Sequence, residues 1–306
     1  MTTHKPAYLK LAASGELRKR IATAYRRLAK CDLCPRQCGT DRYHYKTGFC
    51  CAGLLPEISS HNAHFGEEPP ISGDRGSGTI FFTHCNMRCC FCQNYPISQL
   101  GHGQEITIEQ LAGLMLDLQK KKCHNINLVT GSIYVPQILA ALEAACQKGF
   151  RLPLVYNCSG YESLETLALL DGIIDIYLPD AKYSDDLKAE QYSQAPRYWQ
   201  VNQVALKEMH RQVGDLMLDD KDLAVRGLII RHLVLPQNIA GSIQVLEFIA
   251  RNISPHTYIS VMAQFHPAHK AGDFPELSRR LTQEEYDLVT GKLQELGLTN
   301  GWVQEL

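Results

Sequence analysis

No apolar run in this chain approaches the roughly 20 residues that a bilayer-spanning helix needs, and the longest candidates, such as 138–146, are short and amphipathic. Positive charge is not in excess either. Lys and Arg total 31 against 32 Asp and Glu, a formal net charge of −1, which gives no footing for nucleic-acid binding. There is no nucleophile elbow, no phosphate-binding glycine loop, no internal repeat and no low-complexity stretch. The amino-terminal segment lacks the apolar core of a signal peptide. Its basic residues Arg18, Lys19, Arg20, Arg26 and Arg27 would suit a transit peptide, but Glu16 interrupts them and a cysteine motif follows directly. A cytoplasmic location is expected, with neither a membrane nor a nucleic acid as partner.

What is present describes a globular chain. It has 306 residues, 45% of them hydrophobic and 21% charged, enough for one α/β barrel with an appendage. The 12 cysteines are clustered: Cys31, Cys34, Cys38, Cys50 and Cys51 form one group and Cys85 to Cys92 the next. Without a secretion signal, clustering of this kind reads as metal ligation rather than disulfides. Cys123, Cys146 and Cys158 stand alone and are expected as small buried side chains.

Cys85, Cys89 and Cys92 lie in Thr83-His84-Cys85-Asn86-Met87-Arg88-Cys89-Cys90-Phe91-Cys92-Gln93-Asn94. Each iron of a cubane iron–sulfur cluster usually takes one thiolate. Three thiolates from one loop hold three irons and leave the fourth open to the amine and carboxylate of a small molecule. A zinc ion would need a closed tetrahedron, with a fourth ligand from Cys90, His84 or His102.

From residue 79 onward, strand-like and helix-like patterns alternate. Strands are expected at 79–83, 126–130, 154–157, 173–178, 227–235 and 258–262. Helices are expected from Thr107, where Gln110 completes a capping box, and at 136–148, 163–170, 201–213, 242–250 and 282–296. The last begins with a second capping box, Thr282 with Glu285, and Gly297 ends it. Six β/α units are too few for an eight-stranded barrel. The fold class is therefore α/β, an open partial (β/α)6 TIM-like barrel with right-handed crossovers and an amino-terminal cysteine-rich metal-binding appendage. Residues 215–226 read as a hairpin insertion. Residues 1–30 carry an amphipathic helix at 15–30, 31–78 form the appendage, irregular and held by metal, and 79–306 form the barrel with a carboxy-terminal helix. Chemistry on such folds sits at the carboxy ends of the strands. There the sequence places Cys85, Thr130-Gly131-Ser132, Asn157-Cys158-Ser159-Gly160, Asp180-Ala181-Lys182, Arg231 and Gln264-Phe265-His266. His232, inside an apolar strand, reads as a satisfied core histidine.

The cysteine loop and the elements around it resemble the radical S-adenosylmethionine (SAM) superfamily, in a branch similar to the pyruvate formate-lyase (glycyl radical enzyme) activating proteins. The resemblance to the activases spans residues 79 to 270, and the branch pattern runs from Cys31 to Asn300-Gly301-Trp302-Val303-Gln304. It implies that Cys85, Cys89 and Cys92 ligate a [4Fe-4S] cluster and that Phe91 packs near the adenine of SAM. Thr130 and Ser132 fall where the methionyl amino group is met, although the activases' Gly-Gly-Glu is missing. Asn157, Ser159 and Gly160 align with an Asp-Thr-Asn-Gly-like segment, in which Asn157 replaces an acid of the activases' monovalent-cation site. Asp180 and Lys182 match an Asp-x-Lys, Arg231 a fifth-strand arginine and His266 a histidine after the sixth strand. Phe91, Thr130, Ser132, Asn157, Ser159, Asp180, Lys182, Arg231 and His266 are thus the expected cofactor-binding residues. His84 stands where the activases usually have glycine.

The implied activity is reductive cleavage of SAM to a 5′-deoxyadenosyl radical, which abstracts hydrogen from a substrate. That substrate is a glycyl radical protein in one version and a peptide or small molecule in another. A non-enzymatic iron–sulfur electron carrier is the rival class. The implied partners are an electron donor such as flavodoxin or ferredoxin and, in the first version, the glycyl radical protein. Cys31-x2-Cys34-Pro35-x2-Cys38, followed by Gly48-Phe49-Cys50-Cys51, supplies four thiolates for a second iron–sulfur cluster or a closed zinc site. The branch pattern Gly-x-Cys selects Cys50 over Cys51.

Overall fold

The computed structural model describes residues 5–44 and 48–306. Residues 1–4 of the amino-terminal segment and 45–47 of the cysteine-rich stretch, both inside expected regions, lie outside the described residues. Ten strands form the sheet system: β1 (Glu57–His64), β2 (Ser77–Phe82), β3 (Gln104–Glu105), β4 (Ile126–Val129), β5 (Leu154–Cys158), β6 (Ile176–Pro179), β7 (Met217–Leu218), β8 (Ala224–Leu233), β9 (Tyr258–Met262) and β10 (Gly301–Val303). The order across the sheet is β10-β9-β8-β6-β5-β4-β2-β1-β3. The six expected strands are β2, β4, β5, β6, β8 and β9, and each pairs in parallel with the next. Strands that neighbour in sequence and run parallel require crossovers, and two of the helices on these connections are the ones the capping boxes mark. Thr107 caps Ile108–Lys120 and Thr282 caps Gln283–Glu295, both through complete capping boxes. The sheet stays open, as a partial barrel should. Among the described residues no helix is long and apolar enough to cross a membrane.

Several boundaries differ from the expectation, each for a local reason. The helix expected at 15–30 runs over Glu16–Arg26, and a further helix not expected from the sequence, Tyr8–Ser14, precedes it. Gly15 between them sits at φ +77° and caps the first. The stretch expected to be irregular supplies β1, which pairs antiparallel with β2 and with β3 and extends the sheet on that side. The polar run His61, Asn62 and His64 in β1 hides its strand character. A seventh parallel strand, β10, adds to β9. The strand expected at 173–178 begins only at Ile176, because the N–H groups of Ile173 and Ile174 turn back to the Leu170 carbonyl. The expected hairpin is present, with β7 antiparallel to β8. The helix Asp186–Ser193 carries no sequence signal strong enough to announce it, since its apolar residues do not gather on one face.

The core lies between the sheet and the crossover helices. Two smaller groups matter for the site. Ile71, Val155, Ile176, Leu178 and Ile229 fill the lower barrel interior. Met87, Cys90, Phe91, Tyr161, Tyr183, Tyr192, Tyr198 and Phe265 form an aromatic wall behind the cysteine loop.

Candidate functional site

The loop after β2 starts with a backbone demand. His84 has φ +66°, a region that glycine occupies without cost and other residues only with strain. Here the imidazole is held by Glu57 of β1, with Nε2 3.2 Å from Oε2. The loop is fastened by backbone bonds. His84 N–H donates to Ile97 O, Arg88 N–H to Ser193 O and Cys90 N–H to Tyr192 O, at 2.9, 2.9 and 2.7 Å. The unannounced helix Asp186–Ser193 thus clamps the loop through its last residues. Cys90 is buried in the aromatic wall and so is set apart from its neighbours.

Cys85, Cys89 and Cys92 lie within electrostatic reach of one another. Burial, then the charges of Cys89 and Cys92, pushes the Cys85 thiol up to about 12. Cys89 is raised by burial and by Cys92, against the pull of Lys182. Cys85 and Cys89, which resist ionisation unaided and face the Lys182 ammonium group, form with Cys92 a donor set that metal would deprotonate. The set therefore fits a cluster. No three His, Cys, Asp or Glu side chains among the described residues are gathered closely enough to hold a single metal ion.

Lys182 joins this loop to the barrel. Its Nζ lies 2.7 Å from Asp180 Oδ2, and Arg231 Nε donates to Asp180 Oδ1 at 3.2 Å. Asp180 and Arg231 stand in register where β6 and β8 continue. Arg231 also donates to Asn157 Oδ1 and, at 3.4 Å, to Glu67. Burial opposes ionisation of Asp180, but Lys182 and Arg231 outweigh it and hold the carboxyl below its usual range. Lys182 and Arg231 are correspondingly held well above theirs by Asp180, against burial. The strand ends thus hold four polar residues predicted from sequence in one connected network.

The loops that carry them are built tightly. Gly160 has φ +71°, and a Cβ there would stand 2.2 Å from the Asp180 carbonyl oxygen, so this turn requires glycine. Tyr198 accepts the Lys182 N–H at 2.9 Å, and its hydroxyl lies 2.8 Å from Ser159 O. Asn202 Nδ2 donates to Gly160 O and Asp180 O at 3.1 and 3.0 Å. Ser159 Oγ is 3.4 Å from Asn86 Oδ1 in the cysteine loop. Phe91 packs edge-on against Phe265, ring centroids 5.8 Å apart. His266 meets Gln93, next to Cys92, with Nδ1 3.2 Å from its amide. It does not join the Asp180 network.

Ser132 differs from its expected placement. It is fully buried and donates to Glu162 Oε1, while Tyr156 donates to Glu162 Oε2 at 3.0 Å. Thr130 precedes it at φ +62°, a strained region for a β-branched residue. His232 is the core histidine expected, bonded to Ala181 O and Ser242 Oγ, and burial lowers its pKa to about 4. Sequence reasoning missed Glu67, Glu162, Tyr198 and Asn202. Their roles depend on partners between 6 and 164 residues away, and no local pattern marks them. Cys146, expected buried, is only half-buried.

The four amino-terminal cysteines also come together. Cys31, Cys34 and Cys50 are 5%, 8% and 8% exposed. Cys51 points elsewhere, its Sγ 3.6 Å from the Arg88 guanidinium.

Comparison with known proteins accords with this geometry. The family model of the Radical SAM superfamily matches residues 79–207. The uncharacterized protein MJ0674 of Methanocaldococcus jannaschii is 30% identical over 266 residues, 84% of this chain and 72% of that protein. Among solved structures the chain is similar to HydG, a maturase of the [FeFe]-hydrogenase, with a TM-score of 0.49, 10% identity and coverage of 72% of this chain. It spans about half of that maturase, 49%. It is also similar to TYW1 with a lysine-pyruvate adduct bound, with a TM-score of 0.43, 11% identity and coverage of 72% and 74% of the two chains.

Proposed function

The chain belongs to the radical SAM superfamily, and on that premise we propose that Cys85, Cys89 and Cys92 bind the [4Fe-4S] cluster at which this enzyme cleaves SAM. A [4Fe-4S] cluster held by these three thiolates would supply the single electron for reductive cleavage of SAM, and with it hydrogen abstraction from a substrate. The residues around it bind, orient and exclude water. Lys182 faces the thiolates and offers a buried ammonium to the SAM carboxylate. Asp180 and Arg231 hold Lys182 in place and, with Asn157 and Ser159, present polar edges to the ribose and methionyl groups. Phe91 and Phe265 form the apolar face for the adenine, and Thr130 and His266 flank the opening. Ser132 acts from behind through Glu162. The observation that carries this reading is Lys182 within reach of Cys85 and Cys89 while bonded to Asp180.

The substrate enters at the barrel mouth. A glycyl radical protein is the substrate the resemblance favours, with a peptide or small molecule as the second reading and flavodoxin or ferredoxin as electron donor. Such a protein works in the cytoplasm. The four amino-terminal thiols bind metal as well. The test is anaerobic: iron and sulfide analysis, then dithionite and SAM. 5′-Deoxyadenosine should appear, and Cys89→Ala should abolish it. Wild-type yields from that variant would sink the ligand assignment.

A further inference from the structure

The cysteines of the amino-terminal unit are ordered by backbone rather than by chance proximity. Cys31 N–H donates to Thr40 O and Gly39 N–H to Cys31 O, both at 2.9 Å, so residues 31–40 close on themselves. Cys38 Sγ reaches back to Cys31 O at 3.9 Å. A Cβ on Gly48 would stand 2.8 Å from Cys38 Sγ, which brings the segment carrying Cys50 directly against that thiol. Cys34 lies within electrostatic reach of Cys50 and Cys31, and Cys50 of Cys31 and Cys38. Four thiols from two segments therefore converge, and the fifth, Cys51, is excluded.

This group abuts the SAM-site loop. Arg36, between Cys34 and Cys38 in sequence, donates from Nε to Asn86 O at 2.6 Å, one residue after Cys85. Its guanidinium is within electrostatic reach of both Cys34 and Cys85 and lies 3.2 Å from the centroid of the Phe49 ring. Arg88, one residue before Cys89, donates to Phe49 O at 2.7 Å and covers the same ring at 5.1 Å. Phe49 immediately precedes Cys50. Phe49, Arg36 and Arg88 thus tie the two thiol-bearing segments together.

We propose that Cys31, Cys34, Cys38 and Cys50 hold a second iron–sulfur cluster that relays one electron to the SAM-site cluster. Four thiolates occupy all four irons, so this cluster has no corner for SAM or substrate and its use is electron transfer. A mononuclear zinc ion would draw its four sulfurs to within about 4 Å of one another. Four thiolates serve either group; their place beside the SAM-site loop favours the redox-active cluster, since zinc carries no electron. The electron balance is simple. A low-potential one-electron donor protein of the flavodoxin or ferredoxin class reduces the relay, the relay loses that electron to the SAM-site cluster, and no bond or proton changes at the relay. Exposed Cys38 marks the edge at which the donor approaches.

The inference rests on the radical SAM reading, and the experiment separates the two. The full chain is reconstituted anaerobically with iron and sulfide. In the Cys85→Ala/Cys89→Ala/Cys92→Ala variant about four irons per chain should remain, with a dithionite-reduced EPR signal that SAM does not change. One zinc and no iron in that variant would overturn the relay cluster. In wild type, SAM should alter only the other signal, and its failure to do so would remove the radical SAM reading while leaving the second cluster standing. Cys34→Ser/Cys50→Ser should retain about four SAM-sensitive irons, keep dithionite-driven 5′-deoxyadenosine formation and lose flavodoxin-driven formation at least tenfold. An unchanged flavodoxin-driven rate refutes the relay. Rapid-freeze EPR of wild type mixed with reduced flavodoxin needs no substitution. The relay signal should rise before the SAM-site signal, and the reverse order refutes the sequence of transfer.

Discussion

Glu162 shows how a single buried carboxyl ties pH to stability. Burial raises its pKa from 4.5 to about 7, although bonds from Ser132, Tyr156 and Cys158 oppose the shift. A carboxyl whose folded pKa is raised binds its proton more tightly when folded. Its contribution to stability is therefore full below pH 4.5 and is lost as pH climbs to about 7. The shift corresponds to about 3 kcal/mol across that window. Glu162→Gln keeps a neutral group between the same hydroxyls. Denaturant titrations at pH 5 and 7.5 should show the wild type losing stability relative to the variant as pH rises, and parallel pH profiles would contradict the assignment. Residues differ in how readable they were. Cys85, Cys89 and Cys92 declare themselves by spacing, and Asp180 and Lys182 by their place after a strand. Glu162 follows Asn157-Cys158-Ser159-Gly160 without any pattern of its own, because its partner Ser132 is 30 positions away.

At the scale of elements, capping separates stability from cluster retention. Asp185 accepts hydrogen bonds from the N–H groups of Leu187 and Lys188 and starts the helix whose end clamps the cysteine loop. Thr282 caps a helix on the other side of the molecule, over β9 and the carboxy terminus. Replacing either with alanine costs about 1 kcal/mol. Only Asp185→Ala should hasten iron release to a chelator, because only that helix has carbonyls that accept from the Arg88 and Cys90 N–H groups. Equal release from both variants, followed by absorbance under anaerobic conditions, would show that the clamp is dispensable. The capping boxes were legible because they are local, four residues long and chemically explicit. Helix Asp186–Ser193 and strand β1 were not: one is short with no apolar face, and the other carries histidine and asparagine where a strand usually carries branched residues.

Across the whole molecule, the amino-terminal unit is fastened to the barrel by side chains that reach backbone carbonyls. Ser163 and Thr166 donate to Leu33 O at 3.0 and 2.6 Å, and Tyr8 donates to Leu152 O at 2.7 Å. Arg42, 1% exposed, donates to Gly53 O from Nε and Nη2, and to Ile133 O from Nη1 at 2.7 Å. Arg42→Met would leave those carbonyls buried and unpartnered, at a cost of about 3 kcal/mol or more. The denaturation midpoint should fall accordingly, together with iron content, since Arg42 also stands beside Cys31. A midpoint unchanged from wild type would mean that Arg42 does not hold the unit to the barrel.

Local chemistry determined much of this protein from sequence alone: the three-thiol loop, the capping boxes and the alternation of strands and helices are set by residues within a few positions of one another. The tertiary structure decided which strand ends meet. Asp180, Lys182, Arg231, Asn157 and Glu67 become one network only when four separate segments converge at one end of the sheet, and the same convergence sets Arg36 and Phe49 between two groups of cysteines. Periodicity and spacing report on a chain's neighbours along the backbone, whereas contacts across a barrel depend on register and crossover, which no short stretch of sequence contains.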